Sequence, residues 1–544
     1  MKKFATILAF VIPALICTEA AVAQAIDSIE ELQNSRSRVD GKLYRYLHSS
    51  NPSERSRAAV ALANIQDSSS IPFLLPLLQD SIPAVRRSAA FAIGQIGGSR
   101  TGLLLLERLQ LESDSTCVQE IIDAVGKCGT HEDLNALVVI APTFSGKTQS
   151  SVALSVARFA IRKIQDSVAT EFVANLIGRS ECARMAVYAM MRIGDSSSVK
   201  RHLPALITSM NDHSPEVRMW TGTILGLVMD TAATTALLTH VVDDPDWRVR
   251  VNCVRSLRSH PVENISPVLI SLIAGKNEHV ALTAFSVLNA VVEKYPSDNL
   301  VELLQNMSED SVHWSWRRRG EAAIFLAKLL KGKCVPLLAR LCDANSMLRS
   351  KIISALGETH SLDAISFLEH ELWRDDPRSV SAAVEAYHHI VFDKDSALQA
   401  EFCRQVISLL QKRDIAISYS VAVAFEDTSI QTSIRFRCLP QFISAYQNMK
   451  SPDDVEVMVE FINLFSELNA HAAIPFLQRT LHDGSKIAAQ AAARGLQSIT
   501  GKNYDAEISS PPDTVTFYTP EDVALLKRYR SALVVTSKGN ITIA

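Results

Sequence analysis

The sequence predicts an all-α protein: a right-handed α-solenoid of about thirteen or fourteen helix pairs, followed by a short C-terminal helix and a β-hairpin. Three observations lead there. A motif returns along most of the chain with a period of about 31 residues, the mark of stacked units each too small to bury its own apolar face. Small and aliphatic residues follow an arginine at helical spacing in each copy, as in Arg55-Ser-Arg-Ala58-Ala59-Val-Ala61-Leu62 and Arg349-Ser-Lys-Ile352-Ile353-Ser-Ala355-Leu356-Gly357. At 544 residues the chain is also too long for one compact core.

Residues 1–25 form an export signal, with Lys2 and Lys3 as its positive start, an apolar stretch over 4–17, and Ala23-Gln24-Ala25 as a small-x-small cleavage site. Cys17 offers a lipidation alternative, but bulky Ile16 precedes it where a small residue is wanted. Residues 26–502 are the array. Its anchors fall near 55, 86, 118, 150, 184, 218, 250, 281, 319, 349, 380, 415, 455 and 487. The signature weakens beyond about 395 and returns at Lys486-Ile-Ala-Ala-Gln-Ala-Ala-Ala. The wide step from 281 to 319 implies an inserted loop around 308–313.

Each unit should hold two helices. The first carries the arginine and an alanine-rich face that admits close neighbours. The second is more aliphatic and opens on Pro72, Pro204 or Pro336, where a missing N–H costs little. Gly94, Gly126, Gly226 and Gly357 recur near the end of first helices, where a left-handed cap is expected. Residues 503–519 are expected to be a linker, and Thr519-Pro520 to cap a short helix in 520–544. The closing stretch 532–544 alternates and is expected to turn on Lys538-Gly539-Asn540.

Charge excludes one class of partner. The chain has 55 basic and 58 acidic residues for a net −3, which becomes −4 once the signal is removed. No basic excess supports nucleic-acid binding. Eight cysteines remain after the signal, at 117, 128, 182, 253, 334, 342, 403 and 438, most within apolar helical stretches. Small buried thiols explain them better than a disulfide framework.

The Asp-x-x-x-x-Val-Arg step followed by Ala-Ala-x-Ala, clearest over Asp80 to Gly94, resembles the HEAT and HEAT-like (phycobilisome-lyase type) repeats across about residues 40–502. That resemblance implies a structural ladder in which the aspartates and arginines pair within and between neighbouring units. Its members are Asp80 and Arg86, Asp212 and Arg218, Asp244 and Arg250, and Asp343 and Arg349. The stretch Val534-Val535-Thr536-Ser537-Lys538-Gly539-Asn540-Ile541-Thr542-Ile543 resembles the opening hairpin of a bacterial cyclophilin-type peptidyl-prolyl isomerase. The layout is similar to exported isomerases that carry HEAT repeats before a cyclophilin barrel. The family's catalytic arginine, its Phe-His segment and its proline pocket have no counterpart in these 544 residues, so no catalytic residue is carried over.

Four constellations have other readings. Ala141-Pro-Thr-Phe-Ser-Gly146-Lys147-Thr148 fits a relaxed phosphate-loop pattern, but the array period makes it an inter-unit loop. His131-Glu132 and His370-Glu371 are half of the four pairs that a HEAT-repeat di-iron hydroxylase needs. Neighbouring His388 and His389 point about 100° apart on a helix, a poor chelating arrangement. Neither a metal nor any other cofactor is expected. The last, Trp314 with Arg317 and Arg318, is the candidate partner contact, because tryptophan and arginine dominate interface hot spots. Trp316 with Arg319 repeats the spacing of Trp247 with Arg250, which argues for packing at inter-unit corners.

The expected function is that of an exported, periplasmic scaffold binding protein or peptide clients on its concave face, as the repeat arm of a cyclophilin-type isomerase whose barrel is missing from this chain. A stand-alone repeat scaffold is the alternative. A metal-dependent hydroxylase or a bilin-lyase-like enzyme ranks behind both.

Overall fold

The computed structural model describes residues 29–33, 41–98, 100–290, 298–342, 346–509, 528, 532–536 and 539–543. The signal segment with Cys17, Asp343 and most of the helix expected from residue 520 lie outside them. The chain divides into two compact bodies, Met1–His260 with Thr516–Ala544, and Pro261–Val515. Among the described residues each of the fourteen anchors falls in a separate first helix, from Pro52–Ile65 through Pro83–Ile96 to Lys486–Thr500. Within each body, every first helix packs on the first helix of the next pair. Both bodies are α-solenoids.

The helices begin where the side chains dictate. Asn51, Asp114, Asp230 and Asp246 accept backbone N–H bonds at helix starts in the first body; Asn277, Asp376, Asp414 and Ser485 do so in the second. Pro52, Pro83, Pro215 and Pro377 occupy first turns, as Pro72, Pro204 and Pro336 do in second helices.

The recurrent glycines have a different task from the one expected. Gly94, Gly126, Gly226 and Gly357 are absent from the left-handed positions. A Cβ on Gly94 would fall 2.7 Å from the Ala124 Cα, and one on Gly357 would fall 2.8 Å from the Ala386 Cα. Gly126 faces Ser155 and Gly226 faces Ser256 equally closely. These glycines let the backbones of consecutive first helices touch; chain reversal falls to other residues. The partner in each case lies 29 or 30 residues further on.

The first body's interior is built mainly from alanine and branched aliphatics, such as Ala58, Ala89, Ile93, Ile121, Val125 and Val156. Among the described residues its one fully buried phenylalanine is Phe159; the second body buries Phe285, Phe325, Tyr387, Phe402, Phe425, Phe442, Phe461 and Phe465. These rings meet edge to face, with Phe425–Phe442 and Phe442–Phe461 centroids 5.0 Å apart. That ring packing replaces the alanine signature where the motif fades in the sequence.

Three boundaries move. Ser308 and Glu309 belong to the helix Asp298–Glu309, so the inserted loop begins later than expected. The first residues of the expected linker are docked: Tyr504 is buried, and the Ser509 N–H donates to the Leu481 carbonyl at 3.2 Å. The hairpin pairs Ala532–Thr536 with Gly539–Ile543, and Thr536 faces Gly539. Gly539 and Asn540 are therefore strand residues, and Lys538 lies outside the described residues. No helix among the described residues is long and apolar enough to cross a membrane.

Candidate functional site

The arginine ladder sits where one helix pair hands over to the next. Arg55 donates two bonds to Asp80, at 2.7 and 3.0 Å, and a third to the Ser49 carbonyl. Arg86 repeats this with both oxygens of Glu112, each at 2.8 Å, and with the Asp80 carbonyl. Arg218 does so with Asp244, at 2.8 and 2.9 Å, and with the Asp212 carbonyl. Each carboxylate also accepts the backbone N–H two residues on, which fixes the loop that carries it.

Of the expected pairings within and between units, these side chains make the one between units. Arg86 reaches the main chain of Asp80, and Arg218 the main chain of Asp212; the carboxylate comes from the following repeat, 25 or 26 residues ahead. Arg250 Nε is buried and has no hydrogen bond among the described residues, and Lys276 occupies the matching sequence position. Arg349 makes a longer contact with Glu371, 3.4 Å, and Glu371 is also held by Arg374.

The electrostatics follow the pairing. The hydrogen bond from Arg86 pulls the Glu112 carboxyl down to about 2, against the opposing effect of burial. Burial alone would raise Asp244, but Arg218, the Asp246 N–H and His240 outweigh it and leave it lowered. These are ion pairs of structure, and the acids stay charged.

The tryptophan cluster is split by its own surroundings. Arg318 is buried, donates to the Gly275 and Lys276 carbonyls at 2.7 and 3.3 Å, and lies 5.3 Å from the Trp314 ring. Its charge is spent within its own body, which removes it from the candidate partner contact. Arg317 stays exposed, 4.9 Å from the Trp316 ring, and Trp314 is half-buried. Trp316 packs on the core of the second body, whereas Trp247 is 40% exposed.

The other motifs resolve in the same way. A Cβ on Gly146 would meet the Glu181 carboxylate at 2.5 Å, so a negative charge stands where a phosphate would have to bind. Glu371 is buried as a ladder acid, and His131 lies 3.8 Å from Asp166. His388 turns to Asp427, 3.1 Å away, while His389 turns to His360. The eight cysteines among the described residues are free thiols, and burial pushes those of Cys253 and Cys403 up to about 12.

An open surface lies along first helices of the second body. Ile415, Tyr419 and Val423 are each more than 40% exposed and recur every fourth residue on Ile415–Glu426. A groove of about 570 Å³ borders this helix, between Ser350, Arg378, Ser381, Glu385 and Ala416. A second cleft of about 540 Å³ runs from Arg404 and Ile407 past Ile415 to Gln441, Met449 and Val457. Both clefts are lined by apolar and polar side chains together. Spacing missed both, because their walls come from three consecutive repeats. It also missed Glu426, whose carboxyl is pushed up to about 7 by burial and by its hydrogen bond with Glu460.

A family model of HEAT repeats matches residues 41–126 and 170–258, both in the first body. Over those residues the chain carries HEAT repeats. No curated protein matches the sequence. Among solved structures, a Kap95:Nup1 complex is similar over 91% of this chain and 77% of that chain, at 15% identity and a TM-score of 0.53. A structure of Kap95p with RanGDP covers 91% and 81% at 14% identity, TM-score 0.45. Importin beta in an ammonium sulfate condition covers 94% and 84% at 12% identity, TM-score 0.45. At such identities the likeness is one of fold. The same stacking of helix pairs continues in the second body, where the family model finds no match.

Proposed function

We propose that this HEAT-repeat chain is a scaffold for protein or peptide clients, engaged along the first helices of the second body. The observation that carries the reading is the Ile415–Tyr419–Val423 stripe between two clefts. Three apolar residues on successive helical turns stand in water while grooves on either side offer polar partners. The Kap95:Nup1 likeness supports it as a precedent of fold.

A photo-crosslinking side chain placed at Tyr419 should yield discrete adducts in an extract of the source cells, and Val423→Glu should abolish them. Equal labelling with and without Val423→Glu would defeat the assignment.

In the finer form of this proposal the scaffold is exported to the periplasm and serves a cyclophilin-type isomerase whose barrel lies outside these 544 residues. Leu533, Val534 and Val535 are exposed side by side in the hairpin, an apolar strand bare on both faces that suits pairing with further β structure. The array would then raise the local concentration of client near an active site. Residues 26–544 should not accelerate X-Pro isomerisation, and the protein in an envelope fraction should lack residues 1–25 by mass. Acceleration by the chain alone, or an intact N-terminus in a cytoplasmic fraction, would overturn this form while leaving client binding to its own test.

A further inference from the structure

Glu358 ends the first helix Ser346–Glu358, and His360 follows at a left-handed backbone position, φ 51°. His389 lies in the last turn of the next first helix, Pro377–Val391. The backbone contact at Gly357 and Ala386 brings these two helix ends together. One ligand atom from each of Glu358, His360 and His389 lies within 4.8 Å of the other two. The two imidazoles stand 4.5 Å apart at 63°, and neither has a hydrogen-bond partner among the described residues. Phe392 walls one side, 6.5 Å from the His360 ring and 6.0 Å from that of His389.

Buried or half-buried histidines usually satisfy their ring nitrogens with a carbonyl, a carboxylate or water. His388, next along the helix, lies 3.1 Å from the Asp427 carboxylate. His360 and His389 instead aim at each other and at a carboxylate. We propose that Glu358, His360 and His389 form a binding site for a divalent transition-metal ion of the zinc class, which ties two consecutive HEAT repeats together.

Two imidazoles and one carboxylate select a borderline ion such as Zn²⁺ over Mg²⁺ or Ca²⁺, which demand oxygen ligands. Three protein ligands leave a fourth position for water or for a group on a bound client. Bonds of about 2.0–2.1 Å to a tetrahedral ion need ligand atoms about 3.3 Å apart, so small side-chain rotations close the site. Lys328 is the competing charge: its Nζ lies 3.6 Å from Glu358 Oε2 and holds the carboxylate that the ion would take. Asp393 adds a second negative charge near His360.

The test is titration of the untagged full chain with Co²⁺, followed by visible absorption, and with Zn²⁺, followed by calorimetry and thermal unfolding. One equivalent of Co²⁺ should give the intense bands of a tetrahedral site, and Zn²⁺ should raise the midpoint of unfolding. His389→Ala should weaken Zn²⁺ binding by about 100-fold or more, since even outer partners of a ligand matter by 10- to 100-fold. His360→Gln, at the helix end, guards against a folding defect at His389 and should also abolish the bands. Lys328→Met should tighten binding. Zn²⁺ affinity unchanged in both histidine variants, or a wild-type chain that binds no Zn²⁺, overturns the proposal.

Discussion

In the first body, Arg55, Arg86 and Arg218 each grip the next repeat's carboxylate with two short bonds, whereas Arg250 does not. In the second, the corresponding Arg349–Glu371 contact is long, and the interior is filled by rings meeting edge to face. Aromatic volume thus fills the second body, which keeps a short ion pair between repeats, from buried Arg435 to Glu467 at 2.7 Å. The family model matches residues of the first body alone. Fold follows from the period of burial, whereas family recognition follows from the particular residues that achieve it.

The largest effect should come from the rings. Phe442 is fully buried between Phe425 and Phe461, so Phe442→Ala leaves a cavity and should cost about 3–5 kcal/mol. Amide exchange read helix by helix is the suitable measure, because a chain of two bodies has no single unfolding free energy. Protection should fall in Leu439–Tyr446 and Val455–Glu467. A loss under 1 kcal/mol there would break the claim that aromatic packing carries this body.

The glycine contacts, common to both bodies, come next. Gly94→Val and Gly357→Val each push a side chain into the backbone of the next first helix and should cost about 3 kcal/mol apiece. Unequal costs would show that one body can relax where the other cannot.

Much of this was legible in the sequence. All fourteen anchors land in first helices because helical spacing of small residues after a fixed start is a local signal. The roles of particular residues were harder to see. Gly94 reads as a cap until Ala124, 30 residues away, is known to lie against it. Asp80 and Arg86 look like partners, yet the six-residue step between them crosses a helix start where Arg86 meets only a carbonyl. Trp314 and Arg317–Arg318 formed the densest exposed-looking cluster, but Arg318 is consumed by two carbonyls more than 40 residues earlier. The Glu358–His360–His389 group draws on two helices and matches no contiguous motif. In a solenoid every contact of consequence is one period away, which a reading of neighbours along the chain passes over.

The ladder should also show itself through pH. Glu112 titrates near 2 in the folded chain against an ordinary 4.5, so its contribution is complete above about pH 4.5 and is lost as pH falls towards 2. Arg86→Ala should cost about 2–3 kcal/mol at neutral pH, softened by Arg108, which lies 2.7 Å from the same carboxylate. Glu112→Gln should flatten the acid limb of stability for Pro83–Ile96 and Ser115–Cys128. An unchanged acid limb in that variant would mean that the pair adds nothing beyond the helices it joins.

The smallest effect is the sharpest test of the comparison. Arg349 reaches Glu371 at 3.4 Å, and Glu371 keeps Arg374 at 2.9 Å when Arg349 is removed. The acid left behind is therefore still paired, which avoids most of the penalty for a stranded buried charge. Arg349→Ala should cost about 1 kcal/mol, against about 3 kcal/mol for Arg218→Ala, where Asp244 would retain only His240 and the Asp246 N–H. A double-mutant cycle isolates each pair from the packing of its alkyl chain. Coupling energies of equal size would mean that the ladder runs undiminished through both bodies and that the rings of the second are an addition to it. A coupling several-fold weaker at Arg349–Glu371 would mean that they replaced it.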